Sequence, residues 1–421
     1  MDFQDDRTSA PSPPSEVEFV VVGAGLAGLA AALTLHRAGR EVLILERDKS
    51  VGGRVRTDLE DGYVLDRGFQ VLLTAYPEVA RHIDLDALDL RPFVRGVNVW
   101  DNGSFTELSD PRRSLTALVG GLRTQVLTTR DRVRFLKLAV RLLTSKHGFL
   151  GREDDCSTGE FLETLRFSDR SIEKLWEPLL SGIQLTPSLE GSARLACLIL
   201  RCLLVGPAAV PARGMQEIPN QMAAGLPRGS VHVGVEVEKI NGSEVFLSTG
   251  EVTAARRVIV ATEQPAAARL LKGESFEGRA QWHAYFSAPE APSKSEAIHL
   301  LPSVQGPCRN IAIMSNVAPE YAPQGSVLIV AAGPTSGRES HLVEAREQLV
   351  HVFGHQARSW ELIKQGIVEH AQPMFVPGAN FRRQIQSDEQ IVVAGDHRTT
   401  PSIQGALVSG RLAALEAIRE Q

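Results

Sequence analysis

The stretch "FVVVGAGLAGLAAALTLHRAGREVLILE" (19–46) constrains this chain more than any other. A β-branched run meets a glycine-spaced turn. A helix of strong helix formers follows, Gly39 stands where a helix C′ glycine belongs, and a second apolar run ends at Glu46. Two such runs joined by a helix predict a βαβ unit, and a parallel sheet buried on both faces. The glycine spacing adds a ligand. Gly23 allows the tight turn, Gly25 lets backbone approach a pyrophosphate, and Gly28 lets helix and strand pack closely. Free N–H groups and the dipole at the helix start favour an anion. Glu46, at the end of the second strand, can accept both ribose hydroxyls. These residues predict a dinucleotide site.

At 421 residues the chain exceeds one typical core. A helix-rich stretch follows from about 110 to 205, then strands return in "SVHVGVEVEKI", "EVFLST" and "RRVIVAT", joined by turns at "NGS" and "STGE". Residues 282–334 read as strand-rich and 339–365 as one helix. The chain ends on "IVVAGDHRTTPSIQGALVSGRLAA" (391–414), a second strand–turn–helix with little chain behind it. The expected fold is therefore α/β: a Rossmann-like nucleotide-binding domain assembled from discontinuous segments (17–95, 206–275 and 385–421), with a mixed α+β substrate domain (96–205 and 276–384). Residues 1–16, acidic and Pro/Ser-rich, read as a disordered tail.

Composition excludes several classes. A net charge of −5 argues against a nucleic-acid partner held by bulk electrostatics. The four cysteines form no C-x-x-C and complete no zinc set, so no metal is expected and the thiols read as small buried hydrophobes of a reducing compartment. The most apolar window, 195–210, is broken by Arg201 and Gly206 and is too short to span a bilayer. A cytoplasmic location is expected.

"ERDKSVGGRVRT" (46–57) selects between cofactors. Gly52-Gly53-Arg54 adds a second backbone turn and a cation placed for a phosphate, parts that a nicotinamide site does not need. Together, residues 21–57 resemble the FAD-binding signature of the flavoprotein amine oxidase and phytoene desaturase superfamily. The resemblance implies that Gly23, Ala24, Gly25, Gly28, Glu46, Arg47, Gly53 and Arg54 contact the ADP half of FAD. "GYVLDRGFQ" (62–70) is similar to the superfamily's turn beside the isoalloxazine, which nominates Gly68, Phe69 and Gln70. Val237, in "SVHVGVEVEKI", would meet adenine through its backbone. The C-terminal stretch resembles the superfamily's second FAD motif, with Gly395 and Asp396 at the ribityl–pyrophosphate region. Ile403, Gln404, Gly405 and Ala406 would then bring N–H groups to the pyrimidine edge, where a positive helix end stabilises negative charge when N5 accepts hydride. Thr399 or Thr400 is the expected helix cap, with Pro401 in the first turn.

The resemblance also frames the chemistry. Amine oxidases of this superfamily usually carry a lysine on a substrate-domain strand. The corresponding region, "RAQWHAYFSAPEAPSKSEAIHL" (279–300), has Trp282, His283 and Tyr285 but no strand lysine, and tyrosine is scarce. This favours a desaturase-like oxidation, or a redox-neutral isomerisation, of a small apolar isoprenoid or carotenoid substrate. The alternatives are a flavin amine oxidase, a protoporphyrinogen-oxidase-like enzyme, and a prenyl-binding protein that has lost FAD. His283 and His397 fall nearest the expected flavin, yet no residue is nominated as catalytic. In "TRDRVRFLKLAVRLLTSK" (129–146), Val133, Leu136, Val140 and Leu143 form an apolar stripe beside basic residues. The stripe favours a helix packed on the core; the basic face leaves peripheral membrane contact as the alternative.

Overall fold

The computed structural model describes residues 12–109, 126–145, 154–303, 306–337, 340–381 and 389–419. Most of the expected tail (1–11) lies outside them. Its last residues are built into the fold: the Pro14 carbonyl accepts from Thr253 Oγ1 at 2.9 Å, and Glu16 already belongs to the first strand.

The first sheet has seven strands: β1 (Glu16–Val22), β2 (Val42–Glu46), β10 (Val231–Val233), β11 (Val237–Asn241), β12 (Glu244–Leu247), β13 (Val252–Val260) and β19 (Ile391–Val393). Its parallel heart runs β10-β2-β1-β13-β19, and the β11–β12–β13 meander is antiparallel. Gly242 and Gly250, both at positive φ, make the meander turns where "NGS" and "STGE" stand. Helix α1 (Leu26–Arg37) links β1 to β2, as the crossover of a βαβ unit must. The last helix, α4 (Ile403–Arg419), lies against α1. A Cβ on Gly410 would sit 2.0 Å from the Ala27 carbonyl oxygen, so only glycine permits this approach.

Between these strands, β3 (Thr57–Glu60) and β4 (Tyr63–Asp66) form a hairpin, and β5 (Leu72–Leu73), β6 (Leu90–Pro92) and β9 (Ala208–Pro211) a small sheet. The second large sheet is mostly antiparallel: β7 (Gly96–Asp101), β8 (Ser104–Ser109), β14 (Gly278–Ala288), β15 (Ile298–Leu300), β16 (Asn310–Ile313), β17 (Val327–Thr335) and β18 (Glu361–Pro373). Helices α2 (Thr129–Thr144) and α3 (Ala193–Val205) belong to a helical cluster packed on Val99 and Leu300 of this sheet.

Two expectations are corrected. Residues 339–365 are not one helix: it spans Leu342–Phe353, Gly354 breaks it at φ +80°, and β18 begins at Glu361. Cross-strand pairing with β14 outweighs the local helical pattern there. In α2 the stripe expected to face the core is exposed. Val133, Leu136, Val140 and Leu143 face outward, while Leu138, Ala139 and Leu142 are buried. The helix carries two apolar faces, and periodicity cannot say which one meets the core. Lys146 lies outside the described residues.

Candidate active site

The nucleotide turn is built as its glycines require. Gly23 has φ +101°, and a Cβ on Gly28 would stand 1.9 Å from the Gly23 carbonyl oxygen. By contrast, a Cβ on Gly25 would meet nothing within 4 Å, so space lies open in front of that backbone. Gly25 is the N-cap of α1, and no side chain caps the helix. Its first N–H groups are thus available to an anion. The Glu46 carboxylate is buried and accepts from Ala24 N–H at 2.6 Å and Asp48 N–H at 2.9 Å. A carboxylate offers about four lone-pair sites, so acceptor capacity remains for hydroxyl donors.

The second turn leans on the first. Gly52 N–H donates to the Ala24 carbonyl at 2.8 Å, and a Cβ on Gly53 would lie 3.4 Å from Gly25 Cα. Arg54, expected beside a phosphate, also has protein partners. Its guanidinium donates to Asp396 Oδ1 at 2.7 Å and to the Ala371 carbonyl at 2.8 Å. Burial opposes its charge, but Asp396 more than compensates and raises the Arg54 pKa above its ordinary value. The N-terminal glycine turn and the C-terminal Gly-Asp unit are therefore joined by one ion pair across 342 residues of sequence. Arg47 is half-exposed, 3.8 Å from Asp48.

At the other end, Gly395 N–H donates to Ser409 Oγ at 2.9 Å. The expected cap is corrected: Ser402 Oγ accepts from Gly405 N–H at 3.0 Å, while Thr399 Oγ1 donates to the Gly405 carbonyl at 2.6 Å. The serine stands three residues before the N–H it serves, which is N-cap geometry. The Gln404 side chain accepts from Glu78 N–H at 2.9 Å, and Gln404 is not a cavity residue.

One cavity of about 1150 Å³ connects these parts. One arm is lined by Gly23, Gly25, Glu46, Arg47, Gly53, Arg54, Val237, Gly395, Asp396, Ile403 and Ala406, all expected cofactor contacts. Phe69 and Gln70 also line the cavity, whereas Ala24, Gly28 and Gly68 do not. A second arm runs into the helical cluster, between Phe93, Trp176, Leu179, Leu200 and Leu203. The volume exceeds the roughly 300–1000 Å³ of a single-ligand pocket and suits a cofactor plus a substrate.

Sequence reasoning missed Gln281, which lines the cavity from β14. Its Oε1 accepts from Phe69 N–H at 2.8 Å, and a Cβ on Gly68 would meet that oxygen at 2.6 Å. No local signal marks this contact, because its partners lie 212 residues apart. Asp66 was missed too. Buried in β4, it accepts from Thr57 Oγ1 (2.6 Å), Met215 N–H (2.9 Å) and Tyr321 Oη (2.9 Å), and burial pushes its pKa up to about 6. His283 is buried against Gly366 outside the cavity lining, and burial drives its pKa down to about 4. His397 is buried beside Gly395. No group of acidic, cysteine or histidine residues among the described ones could hold a metal. No described helix is long and apolar enough to cross a membrane.

A parallel nucleotide-binding sheet, an uncapped glycine turn and a second, apolar arm define a dinucleotide-dependent oxidoreductase. The chain belongs to the flavin containing amine oxidoreductase family, whose profile matches residues 26–418. Its cofactor is FAD, and the open cradle before Gly25, the uncapped start of α1 and the Glu46 carboxylate fit that group. Along 397 residues it is 24% identical to the coproporphyrinogen III oxidase of Propionibacterium freudenreichii subsp. freudenreichii, covering 78% of this chain and 70% of that protein. Three other curated matches are local, spanning 9%, 13% and 18% of those relatives' lengths. In fold it is similar to an oxidoreductase from Methanosarcina mazei (TM-score 0.74, 19% identity, 95% of this chain and 100% of that one). It is also similar to putrescine oxidase bound to putrescine (TM-score 0.66, 20% identity, 96% and 100%).

Proposed function

We propose that this FAD-dependent oxidoreductase is desaturase-like, or a redox-neutral isomerase, and acts on an apolar isoprenoid or carotenoid-type substrate. The observation that carries the reading is the substrate arm. Phe93, Trp176, Leu179, Leu200 and Leu203 line it, and no lysine stands among the described lining residues. The lysine on the adjoining strand, Lys364, is held by Asp58 at 2.9 Å. Bound FAD supplies the two-electron acceptor. The protein's part is to exclude water with apolar walls, to fix the Phe69 turn through Gln281, and to aim the α4 N-terminus into the cavity. No titratable catalytic side chain is assigned.

The test is anaerobic flavin bleaching. Phytoene dispersed in detergent should bleach the flavin, while putrescine and benzylamine should not. Bleaching by an amine alone would defeat the proposal. A second reading, an anionic ring substrate, is favoured by Arg95. This half-buried guanidinium lines the cavity and makes no hydrogen bond or ion pair among the described residues. If that reading is right, coproporphyrinogen is oxidised, and Arg95→Ala raises its KM while sparing kcat.

A further inference from the structure

Helix α2 presents three faces. At about 100° per residue, Val133, Leu136, Val140 and Leu143 fall within roughly 80° of arc, and Lys137, Arg130, Arg141 and Arg134 occupy the next 60° or so. The remaining side carries Asp131, Leu138 and Leu142 into the core. The four apolar residues of the first face are 48%, 64%, 51% and 42% exposed, a density unusual for a helix already packed on its own domain. The helix has one acidic residue, Asp131, which is fully buried. Hydrogen bonds from Thr128 and Ser168 outweigh its burial and hold its pKa down at about 2. The outer surface of α2 therefore combines an apolar strip with a basic flank and no exposed carboxylate. Leu136, Val140 and Leu143 also line the cavity, so the strip forms the rim of the substrate arm.

We propose that this face of α2 docks on an anionic lipid bilayer and sets the cavity mouth against it. Charge decides the occupant. A second copy meeting this face antiparallel, through a two-fold axis across the helix, would bring Arg130, Lys137 and Arg141 toward their own equivalents. Anionic headgroups instead complement that flank while the acyl region takes the strip. The inference deepens the apolar-substrate reading and rests on it, since a substrate dissolved in lipid is reached through such a mouth.

The experiment is vesicle co-sedimentation of the FAD-loaded full chain. Vesicles of phosphatidylcholine with about 30% phosphatidylglycerol should retain the protein, pure phosphatidylcholine should retain less, and high salt should release it. Val133→Asp and the pair Arg130→Glu/Lys137→Glu alter residues outside the cavity lining. Each should lower vesicle partition about tenfold or more, with flavin content and bleaching by detergent-dispersed phytoene unchanged. Equal partition of wild type and variants, or no partition of wild type, overturns the proposal. A wild-type dimer by light scattering that Val133→Asp dissociates, without vesicle binding, assigns the face to a second copy and also overturns it. Anionic-vesicle binding that the variants abolish, with no bleaching by phytoene in any form, supports the docking face and rejects the substrate reading alone.

Discussion

The molecule uses one local design twice, and the two copies differ in where their partners come from. At residues 19–46 the strand, turn and helix are self-sufficient: the acceptor for Ala24 N–H is Glu46, on the very next strand. At residues 391–414 the same layout is dependent. Its carboxylate, Asp396, is held by Arg54, from the turn that follows the first unit, and its helix packs through Gly410 on Ala27. The first copy leaves its helix start uncapped, whereas the second caps its own with Ser402. Similar sequence patterns therefore do different work. One leaves its helix N–H groups uncapped beside the cavity, and the other, tied to Arg54, lines the same cavity.

Breaking the first unit from within should have the largest effect. Gly28→Ala drives a methyl into the Gly23 carbonyl, and overpacking of this kind costs about 3 kcal/mol. Chemical denaturation should show this loss in the apoprotein, before any flavin is added. A shift below about 0.5 kcal/mol would mean that the helix and strand can move apart.

Asp66 belongs to neither turn and serves as the reference, a buried acid held by neutral donors where Asp396 has a cation. Folding raises its pKa from 3.8 to about 6, so the native state binds that proton more tightly than the unfolded chain. The resulting stabilisation is complete below about pH 4 and is lost as pH rises through 6, a change of about 3 kcal/mol. Wild type should therefore lose stability across this window relative to Asp66→Asn, which has no proton to release. Parallel stability curves for the two proteins would remove Asp66 from the account.

Cutting the link between the units comes next. Asp396→Ala leaves Arg54 without its carboxylate. Fully buried pairs cost about 3–5 kcal/mol to break. Because the Arg54 side chain is 30% exposed, about 2 kcal/mol is expected here. Flavin content of the purified protein should fall with it, and Asp396→Asn should retain more flavin than Asp396→Ala.

The smallest structural effect belongs to Gly25→Ala. The residue has φ −71°, and its Cβ would meet nothing within 4 Å. Apoprotein stability should stay within about 0.5 kcal/mol of wild type. The methyl would nevertheless stand where the pyrophosphate approaches, so titration should show FAD affinity weakened about tenfold or more. Equal affinity would place the cofactor elsewhere.

Much of the glycine-turn arm of the cavity was legible because its determinants are local. The glycines, the strand before them and the acidic residue that ends the second strand sit within 28 residues. The C-terminal unit was legible for the same reason. Less legible were contacts closed by the fold. Gln281 reaches Phe69, Tyr321 reaches Asp66 and Arg54 reaches Asp396 over 212, 255 and 342 residues. Nothing in the neighbourhood of either partner announces the other. Likewise, the 361–373 strand was hidden because its pairing energy comes from β14, not from its own sequence.

By itself, then, the sequence determined the turn chemistry, the cofactor class and the periodicity of each helix, since these follow from steric freedom and side-chain spacing along a few residues. Only the tertiary structure decided which face of a periodic helix is buried. Val133, Leu136, Val140 and Leu143 repeat as a core stripe would, yet Leu138 and Leu142 take the core. Periodicity fixes directions relative to the helix axis. What lies in each direction is set by the elements packed around it, and those come from distant parts of the chain.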